Sequence, residues 1–284
     1  MTARHGVEYG PRLIASPTGH LRRALFVRPS RAIERAVPLI GEPGAVYERA
    51  VEQHGVLRKT LEYFGAKTTA IDTRGTDPYE SAAADAAVVF QDGAALMRLT
   101  PLSRRAEVDR MEAEFTDLDV PIAGHVAAPA LLDGNDVLLA GETAFVGAPS
   151  TSSGQARGNE LGRRGFAQLA RAHGYRVVEV KLADGVPALR AVAGAAARDT
   201  IVIGAGKVDR EAFEGFKTIV LPLGEEQAAG ILPIDDGHVV AEIRFRTALA
   251  TMRRAGITVE AIDLYEFTKL GLTPSMLTLA LRRE

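Results

Sequence analysis

The sequence predicts an α/β protein built from five ββαβ-like units around a centre. Three observations carry this prediction. A pattern of strand, loop, amphipathic helix and strand comes round five times. The helices are separated by hairpin strands rather than by single strands. No Pro/Gly/Ser-rich linker divides the 284 residues, so 1–284 reads as one domain, with 1–20 a poorly structured extension. A doubly wound open sheet would instead show simple strand–helix alternation. A repeat this long marks units that bury their faces against neighbours.

The units follow in order. The first runs "ALFVRPS", helical "AVYERAVEQHGVLRKTLEYF", Gly65 and "AKTTAID". The second has the Asp92-Gly93 turn, "AALMRL", helical "SRRAEVDRMEAEF" and "VPIAG". The third has the Gly141-Glu142 turn, "TAFVGA", a Ser/Gly loop, helical "LGRRGFAQLARAH", Gly174 and "YRVVEV". The fourth is shorter, with "DTIVIGA", "DREAFEGF" and "KTIVLPL". The fifth has the Asp236-Gly237 turn, "HVVAEI", helical "RTALATMRRA", Gly256 and "ITVEAID". Asp-Gly pairs suit the positive-φ positions of tight hairpins. Gly65, Gly174 and Gly256 stand where a helix C-terminus takes a left-handed residue. Phe245, Leu249 and Met252 form one apolar helical row. The closing stretch "KLGLTPSMLTLALRRE" reads as a turn followed by a last strand through Ser275–Leu279.

Composition narrows the function classes. The chain is 46% hydrophobic and 25% charged with a net charge of -2, and its basic residues are scattered, which is no nucleic-acid footprint. Its apolar runs are too short to span a bilayer, and the N-terminal stretch has no secretory pattern. The expected setting is cytoplasmic. There is no cysteine, which removes disulfides, thiolate ligands and cysteine nucleophiles. The six histidines form no HxH or HxxxH pair, so neither a metal nor a cofactor is expected. "VIGAGK", Val202 to Lys207, lacks the spacing of a dinucleotide fingerprint and the ending of a P-loop. Gly147 to Gly162 offers amides and hydroxyls to an anion ahead of a helix, although Ser150–Ser153 reads as a surface loop. Ser275 has no Gly-x-Ser-x-Gly setting.

Several stretches together resemble the dimethylarginine dimethylaminohydrolases of the guanidino-modifying pentein superfamily. They are "PYESAAAD" leading to "LTPLSRRAE", "LDGNDVLLAGETAFVG", "RGNELG" and "YEFTKLGLTPSMLTL". The resemblance implies a five-bladed α/β propeller, the pentein fold, with a central pocket, and it allows a homodimer. It also implies hydrolysis through a covalent intermediate on cysteine, with a histidine moving protons and an acid orienting it. The family's C-terminal pattern falls on Lys269, Leu270, Ser275, Met276, Leu277 and Thr278, which puts Met276 at the nucleophile; a one-residue shift would put Ser275 there. The base position falls on Pro187 and the orienting acid on Asp133. At the guanidinium end the pattern falls on Ala82–Asp85, keeping only Asp85, while an earlier acid becomes Tyr79. At the carboxylate end it falls on Arg104, beside Arg105, and on Arg157 and Asn159.

Two readings follow. In the first, the chain has lost Cys/His guanidine hydrolysis and binds a carboxylate-bearing small molecule in the old pocket through Arg104, Arg157, Asp85, Asn159 and Tyr79. In the second, it is an enzyme of different, non-covalent chemistry on a carboxylic substrate, with Asp85, Asp133, Tyr79 or His125 as acid or base, in a pocket widened by Ala82–Ala84 and Met276. A scaffold whose surface matters more than its pocket is the plainer alternative.

Overall fold

In the computed structural model, which describes residues 13–41, 43–149 and 158–284, each unit forms a three-stranded sheet. The strands are β1 (Leu21–Val27), β2 (Lys67–Ile71), β3 (Ala87–Val89), β4 (Ala94–Leu96), β5 (Ile122–His125), β6 (Val137–Ala140), β7 (Thr143–Ala148), β8 (Arg176–Lys181), β9 (Ala193–Ala197), β10 (Thr200–Gly204), β11 (Lys217–Leu221), β12 (Leu232–Asp235), β13 (His238–Glu242), β14 (Thr258–Ile262) and β15 (Leu279–Arg283). The sheets are β15-β1-β2, β3-β4-β5, β6-β7-β8, β9-β10-β11 and β12-β13-β14. In every sheet the first pair is antiparallel and the second parallel. A parallel pair needs a crossover. Helices α1 (Tyr47–Tyr63), α2 (Ala106–Asp117) and α3 (Glu160–Ala172) supply three of them. After the short α4 (Leu189–Val192), α5 (Arg246–Arg254) supplies the crossover of the fifth sheet. The fourth crosses through a 3-10 turn, Arg210–Phe213, instead of the expected α-helix.

The hydrophobic pattern explains the ring. Strand residues alternate between two cores, one on each side of their sheet. Ala24 and Phe26 of β1 join one cluster and Leu25 and Val27 the next. Likewise Leu138 and Phe145 face the third–fourth gap, while Val137 and Ala144 face the second–third gap. Both faces are therefore apolar, and the strands read as continuous hydrophobic runs. Each helix adds its apolar row to one gap: Leu57 and Leu61 of α1, Phe115 of α2, Phe166 of α3, and Leu249 and Met252 of α5. Phe213 does the same from the fourth unit's 3-10 turn. The first strands approach one another around the axis, β3 against β15, β6 against β9 and β9 against β12. Pairing of β15 with β1 closes the ring between the two ends of the chain.

Gly65, Gly174 and Gly256 adopt φ of 88°, 86° and 94°, as helix C-termini require. Three expectations need correction. Gly93 is not left-handed; a Cβ there would lie 3.1 Å from Pro121 O and from the Ala123 amide nitrogen, a tight approach that glycine avoids. Residues 13–20 are not loose, because Leu13, Ile14 and Thr18 are buried and Ile14 bridges to Arg283; residues 1–12 lie outside the described residues. The last strand begins at Leu279. Before it come α6 (Tyr265–Thr268) and a turn of helix, α7 (Pro274–Leu277), which Pro274 starts with its fixed φ. Among the described residues no helix is long and apolar enough to cross a membrane.

Candidate functional site

Five short helical segments each lead into the first strand of a sheet: Ala83–Asp85, Gly134–Asp136, α4, Glu226–Ala229 and α7. They touch in sequence around one end of the axis, and the amide of Ser275 reaches Gly230 O at 3.4 Å. Asp85, Asp133, Pro187 and Met276 all stand on or beside this ring of turns. Close packing of the turns fixes their places. A Cβ at Gly134 would fall 2.1 Å from Ala84 O, so only glycine lets the two acid-bearing turns meet.

Met276 is 1% exposed. It packs in the core with Ala82, Ala188, Leu270, Leu272 and Leu277, with Tyr79 and Val186 against the cluster. Of the side chains expected to widen a pocket, Ala82 and Met276 are part of that core, Ala83 belongs to the neighbouring one, and Ala84 is buried. Ser275 has a structural role: its hydroxyl lies 3.2 Å from Thr273 Oγ1 and 3.5 Å from Arg190 O. In return the Arg190 guanidinium donates to Ser275 O. These contacts latch α4 to α7. Pro187 is half-buried, and its ring lies 3.2 Å from where a Cβ at Gly271 would be.

Asp133 is fully buried, and its Oδ1 accepts the Thr100 amide at 2.7 Å. Asp136 Oδ1 accepts the Leu189 amide at 3.1 Å and so holds α4. Asp85 and Arg104, expected at opposite ends of a ligand, bind each other at 2.6 Å. Arg104 is 2% exposed and also forms a two-point pair with Glu107, at 2.8 Å for each contact. Burial works against the Arg104 charge, but Asp85 and Glu107 outweigh it and raise the pKa. Burial lifts Glu107 to about 7, against the pull of Arg104. Nearby, burial of Glu80 is outweighed by hydrogen bonds from Thr76, Gly75 and Asp77, which hold it below the usual carboxylate range. The guanidinium that was expected to meet a ligand is thus paired from within by two carboxylates.

Two further candidates are placed elsewhere. Asn159 caps α3: its Oδ1 accepts the amides of Gly162 at 2.8 Å and Leu131 at 3.0 Å, and its Nδ2 donates to Pro129 O at 3.0 Å. A side chain with those three bonds is a staple for the 129–131 turn rather than a ligand contact. His125 is exposed at the end of β5 and pairs with Glu112 of α2 at 3.2 Å, outside the ring of turns. The Tyr79 amide donates to Asp77 Oδ1 at 2.9 Å, and its ring packs on the Met276 core. Arg157 and the Ser/Gly loop at 150–156 lie outside the described residues.

No family model matches the chain. It is 27% identical over 265 residues to an N(G),N(G)-dimethylarginine dimethylaminohydrolase of Streptomyces coelicolor, covering 92% of this chain and 97% of that protein. Its fold superposes on the Pseudomonas aeruginosa enzyme of that name, a cysteine-to-serine mutant complexed with citrulline. The TM-score is 0.82 at 19% identity, over 92% of this chain and 99% of the other. The N-terminal domain of ArgZ, a cyanobacterial arginine dihydrolase bound to substrate, gives 0.78 at 19% identity, over 92% and 98% of the two chains.

The chain has the pentein fold.

The sequence has no sulfhydryl. Hydrolysis through a cysteine adduct is therefore chemically absent. Among its described residues no three His, Asp or Glu side chains are grouped to hold a metal ion. Sequence reasoning missed three groups at the ring of turns. Glu107 stands three residues after Arg104, a helical pairing distance that signals it. Asp136 and Asn135 adjoin Asp133 in "LDGNDVL", but nothing local distinguishes the roles of the three. The Asn135 amide is fully buried, with Oδ1 and Nδ2 both unpartnered among the described residues.

Proposed function

We propose that this protein is a dimethylargininase-like pentein that no longer hydrolyses guanidines and binds a carboxylate-bearing small molecule. The observation that supports the reading is the absence of cysteine from the chain, with Met276, at the position where the resemblance puts the nucleophile, buried in the core. A thioether has no proton to lose, and Pro187 at the base position moves none. The Arg104–Asp85–Glu107 cluster is internally neutral enough to be a fixed wall, so the cation assigned to the ligand carboxylate is Arg157. Arg pairs with carboxylates through two parallel hydrogen bonds, which gives orientation as well as affinity.

The test is a calorimetric screen of small carboxylic acids against the full chain and Arg157→Ala. The expected result is saturable binding of at least one acid, weakened about tenfold or more by the substitution, within the 1.5–3 kcal/mol of a charged hydrogen bond. Binding that survives Arg157→Ala unchanged would sink the carboxylate assignment.

A second reading, acid/base chemistry on that carboxylic ligand, has one observation in its favour. Glu107, held at about 7, lines a small cavity with Thr73, Arg74, Glu80 and Arg110. A carboxyl poised near neutrality suits proton transfer. Conversion of the bound acid, with a pH profile abolished in Glu107→Gln, would favour this reading over binding alone.

A further inference from the structure

The axis holds a cavity of about 100 Å3 behind the ring of turns. Its walls are apolar, with Val88, Leu138, Ile231 and Leu279 among them, but two arginines, Arg190 and Arg283, line it together. Arg283 is 4% exposed. Among the described residues each guanidinium makes a single hydrogen bond, Arg190 to Ser275 O and Arg283 Nη1 to Gly19 O at 2.9 Å. Neither has an ion-pair partner there. The carboxylates that act on them from a distance are engaged elsewhere: Asp85 with Arg104 at 2.6 Å and Asp235 with His20 at 3.1 Å. The hydroxyl of Thr278, 1% exposed, also lines the cavity and has no hydrogen-bond partner among the described residues.

Two cations facing one apolar chamber without an anion are costly. Burial pushes Arg190 down to about 10, with Asp85 acting against it. Burial, and then the charge of Arg190, push Arg283 down to about 9. Guanidinium groups stay protonated in proteins, so these directions measure an uncompensated charge rather than its loss. Each fork retains further N–H donors, and a planar guanidinium binds oxyanions through paired bonds.

We propose that the chamber between Arg190 and Arg283 is a binding site for a small tetrahedral oxyanion of the phosphate or sulfate class. A dianion matches the two positive charges, its several oxygens accept from both forks and from Thr278, and its compact size suits the volume. The proposal does not rest on the carboxylate assigned to Arg157. An anion there would tie β15 and α4 together across the axis, since Arg283 belongs to β15 and Arg190 to α4.

Calorimetric titration of the full chain with sodium phosphate and sodium sulfate, in chloride buffer of matched ionic strength, tests this. One saturable site is expected for at least one of the two, and comparing the two affinities identifies which anion the chamber prefers. Affinity should fall at least tenfold in Arg283→Met and severalfold in Thr278→Val. No saturable binding above chloride, or affinities unchanged in both variants, would overturn the proposal. So would succinate binding more tightly than either tetrahedral anion with the same dependence on Arg283. Crystals of the unaltered protein soaked in selenate make the test independent of any variant's folding. An anomalous peak within hydrogen-bond distance of both guanidinium groups is expected, and no peak in the chamber overturns it.

Discussion

Arg104, Asp85 and Glu107 form a buried ionic cluster in which each charge depends on the others. Removing one partner leaves the rest in low dielectric without compensation, at a typical cost of about 3–5 kcal/mol. Arg104→Ala should therefore lower the unfolding free energy from urea titration by that order, while the added loss from Asp85→Asn in the same chain should be much smaller than for Asp85→Asn alone. Additive losses in the four-chain cycle would contradict the pairing. The sequence singled out Arg104 and Asp85, but as opposite ends of a ligand. Their separation of nineteen positions carries no local sign that they meet. The pairing appears only when the fold sets the Ala83–Asp85 turn beside the Leu102–Arg104 turn. Asp133 was equally visible as a residue, while its acceptance of the Thr100 amide depends on tertiary placement.

At the scale of elements, local chemistry was largely legible. Left-handed glycines ended the three helices where expected, and the Phe245–Leu249–Met252 row lies against the fourth–fifth core. Beside the fourth unit's 3-10 turn, one element and one residue role were not legible. The α7 turn was read as strand because its apolar residues are continuous, a run that periodicity cannot separate from a buried strand. Asn159 was read as a ligand contact although its place just before a helical pattern is that of an N-cap. A cap of this kind contributes about 1 kcal/mol, with a range of roughly 0.5–2. Asn159→Ala should lose stability in that range or slightly above, since the Leu131 amide and Pro129 carbonyl lose their partner too. Its ligand affinity should change far less than that of Arg157→Ala. Unchanged denaturation with abolished ligand binding would return Asn159 to the binding site.

At the scale of the molecule, the propeller separates architecture from chemistry. Each sheet is held by two apolar cores, one on either side, and β15 closes the ring onto β1. Met276, which the resemblance puts at the nucleophile position, disturbs none of this; its side chain adds to the core that α7 and α1 share. That explains how the five units and their order were readable from the repeat alone while the reaction was not: the fold is specified by many alternating apolar positions, the hydrolysis by two side chains. The most direct measurement is citrulline release by the purified protein from arginine, methylated arginines and agmatine-like guanidines, with Ser275→Ala as control. The account predicts no release above a protein-free blank. Sustained release, above all release abolished by Ser275→Ala, would contradict it and show that a hydroxyl has taken over the chemistry that the missing thiol leaves vacant.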